Sequence, residues 1–329
     1  MSVVADADLG IVVIGRNEGE RLKRCLQSAM GQGIVLVYVD SGSTDGSAEW
    51  ALSVGAEVVA LDMSVPFTAA RARNAGLRRL QAECPGVQLV QFLDGDCELR
   101  AGWLGEASGF LRSSPRVAAV CGRLRERHPE TSVYNRLCDI EWNTPLGESR
   151  ACGGIAMMRV QALLAVGGFN EALIAGEEPE LCVRLRGGGW QIWRLPGEMA
   201  WHDASMHRFS QWWRRTRRSG HAFAEGRALH GGPPEYHYTT ETRRAVLWGL
   251  ALPALVLAGM LLHRDGGLLA LAYPLQMIRL GLQRVLRGEP APWAQAFFLV
   301  VGRVPEGLGV ASYWWSRWRQ RPTRLIEYK

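Results

Sequence analysis

The chain has 329 residues, 47% of them hydrophobic and 21% charged, enough apolar material for one large or two ordinary domains and incompatible with intrinsic disorder. Its formal net charge of +6 rests almost wholly on arginine, since Lys23 and Lys329 are the only lysines, and the basic residues gather after residue 206. That fits a local anionic surface and argues against a nucleic-acid-binding protein, whose charge would spread across a domain. The seven cysteines are scattered and form no C-x-x-C pair, so neither a zinc knuckle nor a disulfide framework is expected, and a reducing compartment fits. The N-terminal stretch with Asp6 and Asp8 lacks a basic region followed by a cleavable apolar core, so no secretory signal is expected.

In chain order, Gly10 to Gly15 is a short β-branched run, and Glu20 through Met30 carries Leu22, Cys25, Leu26 and Ala29 at helical spacing. A second apolar strand, Ile34 to Val39, ends in Asp40-Ser41-Gly42-Ser43-Thr44-Asp45-Gly46, with a helix over 47–54 and a third strand over 56–61. A helix beginning near Thr68 carries Arg71, Arg73 and Asn74 and leads to a fourth strand, Val87 to Leu93. Short apolar strands alternating with amphipathic helices predict an α/β fold with a mostly parallel, doubly wound sheet and its polar loops along one edge. Further on, a helix around Trp103 to Leu111 and a strand over 117–122 are expected, and residues 123–150 read as polar and irregular.

The fourth strand stops abruptly at Asp94-Gly95-Asp96. Two carboxylates at i, i+2 on the carboxyl edge of such a sheet can converge on a hard divalent cation and leave positions open for phosphate oxygens. An acidic turn is the plainer reading of that tripeptide alone. At the same edge Asp40 can accept from a base or ribose, and Arg71 and Arg73 can neutralise phosphate. No G-x-G-x-x-G follows the first strand and no Walker loop is present, which disfavours dinucleotide-binding and P-loop folds. Gly153-Gly154 would let backbone approach a ligand closely, although a structural turn would look the same. Glu177, Glu178 and Glu180 open a helix with Pro179 in its first turn; the helix dipole accounts for Glu180, and Glu177 and Glu178 remain candidates for a general base.

Taken together these segments resemble the family 2 glycosyltransferases of the GT-A fold over residues 8–205, in the order Val13 to Glu18, Val39 to Gly46, Arg71-Ala72-Arg73-Asn74, Asp94-Gly95-Asp96, Gly153 to Arg159, Val166 to Glu171 and Glu177 to Leu181. The resemblance implies inverting transfer of a sugar from a UDP- or GDP-linked donor, assisted by Mg²⁺ or Mn²⁺. It places Asp40 and Glu18 near base and ribose, Arg71 or Arg73 near the donor phosphates or the Asp94 carboxylate, and Gly153 and Gly154 beside the acceptor. Asp96 is expected to touch the metal first, with Asp94 and His202 as further contacts; a plain core or surface histidine reads equally well. This chain has Glu178 where the family usually has aspartate, so the base role falls on Glu178 first and Glu177 second. It also has Ser41 where a second aspartate is common.

After Trp201 the composition changes. Arginines interleave with aromatics from His207 to Arg218, which suits the headgroup layer of an anionic membrane. Residues 245–262 are free of charge and long enough to cross a bilayer, and 266–282 could return, interrupted by Arg279. Arg243, Arg244, Arg284 and Arg287 flank the pair, against His263 and Arg264 between them, which points to a hairpin with the catalytic domain on the cytoplasmic face of the membrane. Residues 297–315 read as interfacial or re-entrant, and a buried helical core is the alternative for all three segments. The organisation expected is therefore a catalytic domain over 1–205, an interfacial helix and linker over 206–244, and membrane-associated helices over 245–329. Gln211-Trp212-Trp213-Arg214 partly resembles the Gln-x-x-Arg-Trp element of processive polysaccharide synthases, with Arg215 in place of its tryptophan. Single-sugar addition to a lipid-linked or membrane-proximal hydroxyl acceptor, in cell-surface glycan or exopolysaccharide synthesis, is the favoured expectation. A processive synthase comes next, and a sugar-phosphate nucleotidyltransferase last, because Gly15 to Gly19 is a poor version of its glycine-rich loop.

Overall fold

The structure, a computed structural model, describes residues 8–30, 34–263 and 265–320; Asp6 and Arg264 lie outside them. By internal contacts the chain forms two compact units, one running to Pro129 and resuming over Glu141–Ser205, the other made of Glu130–Ile140 and the chain from Met206 onward.

The first unit is built on β1 (Leu9–Gly15), β2 (Val35–Asp40), β3 (Glu57–Ala60), β4 (Leu89–Asp94), β5 (Cys97–Leu99), β6 (Val117–Glu126), β7 (Gly147–Ser149), β8 (Ala156–Arg159) and β9 (Gln191–His202). They join in the order β3-β2-β1-β4-β8-β6-β9-β5, with β7 paired to β9. The first four strands are parallel, as buried, near-continuous apolar runs should be. The remainder is mixed: β8 runs antiparallel to β4 and β6, and β5 and β7 run antiparallel to β9. The sheet is thus parallel where alternating strands and helices predicted it and mixed beyond β4. The helices of this unit begin with α1 (Glu20–Ala29), α2 (Ser47–Ser53), α3 (Ala69–Glu83) and α4 (Trp103–Ser113). Thr68 caps α3 by accepting from the Arg71 amide at 3.1 Å, which is why that helix starts where it does. Gly76 lets α3 lie flat on the sheet, since a methyl group there would run into Val12.

Residues 123–150 are more ordered than their polarity predicts. β6 extends to Glu126 through irregular pairing with β9, and α5 (Val133–Glu141) and β7 follow. A strand that pairs on both sides with register shifts alternates poorly, which hides it from periodicity. After α6 (Val160–Ala165), α7 (Glu177–Gly187) completes the unit.

In the second unit, α8 (Phe209–His230) is capped by Gln211, whose Oε1 accepts from the His207 and Arg208 amides at 2.9 and 3.0 Å. The glutamine of the partial synthase element therefore serves to start a helix. α9 (Thr239–Val246), a π-helical segment over Leu247–Ala251 and α10 (Leu252–Leu262) run continuously. Pro253 has no amide to donate and its ring displaces the carbonyl four residues back, which a π turn accommodates. Thr239–Leu262 is the one described helix long and apolar enough to cross a membrane. The expected return segment is broken: Gly266–Leu271 is 3₁₀-helical, and only α11 (Ala272–Leu286) is α-helical. α12 (Pro292–Val301) and α13 (Arg303–Trp318) meet at Gly302. Gly220 and Gly309 let α8 and α13 touch backbone to backbone, because side-chain carbons there would strike Glu306 and Arg217 carbonyls.

Candidate functional site

Register places the site. Gly15 of β1 lies opposite Asp40 of β2, and Ile14 lies opposite Asp94 of β4, so both carboxylates leave the sheet at one edge beside the end of β1. The two flanking loops are stitched together. Asn17, held at φ +55°, accepts from the Thr44 amide at 2.7 Å and donates its own amide to Ser43 Oγ at 2.9 Å, while the Gly19 amide donates to Asp45 at 2.9 Å. Asp40 is buried and shapes this loop: it accepts from Tyr38 Oη at 3.1 Å and from the Gly42 and Ser43 amides at 3.0 and 2.9 Å. A carboxylate has about four acceptor positions, so these contacts leave little spare capacity. Burial pushes the Tyr38 phenol well above its ordinary range, which keeps it a donor. Glu18 pairs with Arg21 at 2.8 Å.

Behind Asp94 lies Arg73, only 2% exposed. Its Nη2 donates to Asp94 Oδ1 at 2.9 Å and its Nη1 to Glu177 Oε1 at 2.7 Å. Burial alone would lower the Arg73 pKa, but the two carboxylates outweigh it and raise it, so the guanidinium stays charged. Gly154 covers this pair: a methyl there would come within 2.7 Å of Arg73 Nη2 and 3.6 Å of Asp94 Oδ2. Gly153 beside it takes φ +79°. Asn74 fixes the far side, bonding the Phe169 backbone in both directions at 2.8 and 2.9 Å. Arg71 faces elsewhere. Its guanidinium binds the carbonyls of Asp62, Val65 and Pro66 at 2.8 to 3.0 Å and holds the loop before α3.

Asp96 sits in the β4–β5 turn, and pairing of Cys97 with His202 brings the end of β9 to it. His202 Nε2 is 3.4 Å from Asp96 Oδ2, its Nδ1 is 3.7 Å from Glu126 Oε2, and Trp142 meets its ring edge-on. The buried Nδ1 has no hydrogen-bond partner at that distance. Asp96, Cys97 and His202 can offer ligand atoms within 4.8 Å of one another. An aspartate oxygen and an imidazole nitrogen, the latter backed by a carboxylate that can orient it, suit a divalent cation, so these residues fit one. Glu126, fully buried and accepting from the His128 and Ala204 amides at 3.1 and 3.0 Å, was not singled out from sequence; a carboxylate between two arginines reads as surface charge.

Glu178 and Glu177, adjacent at the start of α7, separate. Glu178 is 4% exposed and turns inward, where Oε1 accepts from the Cys152 amide at 2.7 Å and from the Cys152 and Cys182 thiols at 3.1 and 3.0 Å. Both thiols are held above their ordinary range, Cys152 by its bond with Cys182 and by burial, so they donate as neutral S–H groups. Glu177 instead shares Arg73 with Asp94. The structure thus brings Asp94, Arg73, Glu177 and Gly154 together and joins Asp96 to His202. It sets Arg71 apart and commits Glu178 to the segment at Cys152.

The fold is shared with glycosyltransferases of the GT-A type. Residues 10–164 match the model of the family described as Glycosyl transferase family 2. A pre-mycofactocin glycosyltransferase of Mycobacterium tuberculosis is 27% identical over 208 residues, 60% of this chain; the chain spans only 43% of that relative's length. Among solved structures, the mannosyltransferase PcManGT from Pyrobaculum calidifontis, in complex with GDP-Man and Mn²⁺, aligns with a TM-score of 0.63 at 19% identity, covering 94% of this chain and 88% of its own. S. aureus TarS 1–349 in complex with UDP-GlcNAc aligns at 0.50 and 12% identity, covering 95% and 92%. GalNAc-T7 with UDP, GalNAc and Mn²⁺ aligns at 0.54 and 14%, covering 74% and 51%.

Proposed function

We propose that the protein transfers a sugar, with inversion, from a nucleotide-diphosphate donor to a hydroxyl acceptor that is lipid-linked or lies at the membrane surface. The observation that carries this reading is the chain Asp94–Arg73–Glu177 at the edge where Asp96 meets His202. The loops of Glu18 and Asp40 receive the base and ribose, Asp40 acting chiefly by holding the loop in shape. Asp96 and His202, with Asp94, would hold Mg²⁺ or Mn²⁺, which would supply positive charge for the diphosphate of the donor. Arg73 fixes Asp94 and Glu177 relative to each other, and Gly153 and Gly154 leave room for the acceptor over them. Glu177 takes the acceptor proton, because its carboxylate is held beside Asp94, whereas that of Glu178 is engaged inside the fold. Arg71 keeps the loop before α3 in place and touches no donor phosphate.

Fold neighbours bound to GDP-Man and to UDP-GlcNAc support a nucleotide-sugar donor, and the apolar Thr239–Leu262 helix supports anchoring in a membrane. The test is release of UDP or GDP from a panel of nucleotide sugars by the full-length protein, with Mn²⁺ and then with excess chelator. Metal-dependent release that Asp96→Ala abolishes supports the reading. Release from every productive donor unchanged by both treatments overturns the metal site, and no donor bound or cleaved overturns the reading.

A further inference from the structure

The helical unit encloses a cavity of about 480 Å³ at the polar end of its apolar helices. Four arginines line it, Arg244, Arg279, Arg284 and Arg303, and no acidic residue does. Two of them are already engaged: Arg303 pairs with Glu306 at 2.7 Å, and Arg284 reaches Gln295 at 3.2 Å and Glu289 at 3.5 Å. No described residue forms a hydrogen bond or ion pair with the guanidinium group of Arg244 or Arg279. Like charges gathered around a hollow repel one another unless an anion joins them, and guanidinium forks match phosphate oxygens in pairs.

The surroundings of Arg279 say what carries the anion. On α11 it stands in a stripe with Leu275, Ile278 and Leu282, which are 64%, 45% and 50% exposed. That stripe lies beside the cavity, whose own apolar lining is Trp248, Leu280, Leu299 and Val300. A free phosphate has no use for such a stripe, whereas an acyl or prenyl chain below a phosphate lies along it. The depth also agrees. Arg244 stands in α9 at the start of the continuous helix, and Leu262 lies about 27 Å further along at roughly 1.5 Å per residue, close to a hydrocarbon thickness, so the arginines fall at headgroup level.

We propose that this cavity binds the phosphate headgroup of an anionic lipid, through Arg244 and Arg279 with Arg284 and Arg303 beside them. The inference rests on the membrane attachment proposed above and deepens it, adding a defined lipid class to general affinity for a bilayer.

The test is flotation of the full-length protein with vesicles of phosphatidylcholine, alone or mixed with phosphatidic acid. The R244Q/R279Q variant is compared with R214Q/R217Q, which removes the same charge from α8 outside the cavity. Tighter binding to the phosphatidic acid vesicles, weakened about tenfold or more in R244Q/R279Q and little in R214Q/R217Q, supports the site. Equal weakening in both variants overturns it in favour of diffuse attraction. Loss of the headgroup preference when inorganic phosphate is added overturns the lipid assignment in favour of a free-phosphate site. Binding to both vesicle types with no preference overturns the site while membrane attachment stands, and binding to neither removes both. Nucleotide-sugar binding, measured on the same preparations, reports that the variants are folded and stands or falls separately.

Discussion

Arg73 and Glu177 are 104 residues apart in sequence and 2.7 Å apart in space, and the same guanidinium holds Asp94 at 2.9 Å. One buried cation therefore ties the strand that ends in the acidic turn to the helix that carries the proposed base. Removing it as Arg73→Met leaves the Asp94 and Glu177 carboxylates without their shared counter-charge, which is destabilising. Thermal unfolding should shift down and sugar transfer should vanish. Arg73→Lys, which keeps the charge but not the fork, should recover most of the stability and only part of the rate. Equal transfer by all three proteins would remove Arg73 from the site.

Glu177 and Glu178 are separated by the same geometry. Glu177→Gln should reduce transfer roughly a hundredfold or more with donor affinity nearly kept, the signature of a lost proton acceptor. Glu178→Gln still offers an oxygen to the Cys152 amide, so its main effect should be on thermal stability and acceptor KM. The opposite pattern in single-turnover rates would return the base role to Glu178.

Gly154→Ala puts a carbon 2.7 Å from Arg73 Nη2, a side chain pinned at both ends by ion pairs and unable to swing clear cheaply. Transfer should fall at least tenfold, since small displacements of positioned groups cost that much, and the unfolding midpoint should drop as the crowded ion pairs give way. A full-rate Gly154→Ala enzyme would show that the cover over Arg73 is open.

The thiols supply a pH-dependent check. Burial raises the Cys25 and Cys97 pKa values, pushes Cys121 up to about 12, and, against the opposing bond from Cys152, leaves Cys182 raised to about 11. Raised values mean that these groups stay protonated and unreactive at neutral pH. Native alkylation followed by mass spectrometry should label Cys84, the one cysteine that is not buried, and the other six only after denaturation. The sign for stability follows: the folded state keeps protons that the unfolded chain loses near pH 8.5, so stability should decline as pH rises beyond that value. Early labelling of Cys152 or Cys182 in the native protein would show that Glu178 is not enclosed as described.

Much of this was legible before folding was considered. The apolar runs at Leu9, Val35 and Leu89 are buried on both faces and so read plainly as parallel strands, and the acidic turn at Asp94 marks where such a run meets solvent. What composition could not reveal is where a side chain turns. Arg71 and Arg73 are two residues apart on one helix, about 200° around it, and so one meets the loop and the other the site. Glu177 and Glu178 diverge for the same reason. Glu126 and the mixed half of the sheet depend on pairing between distant strands, which leaves no local signal.

The stitching of Asn17 to Ser43 and Thr44 carries one more implication, for anyone wishing to retune donor choice. The two connections behave as a single rigid rim, so exchanging one without its counterpart would orphan amides on the other. Libraries that vary positions 16–19 and 42–46 jointly should yield working combinations that stepwise accumulation of single changes would miss, because substitutions sharing a bond do not add.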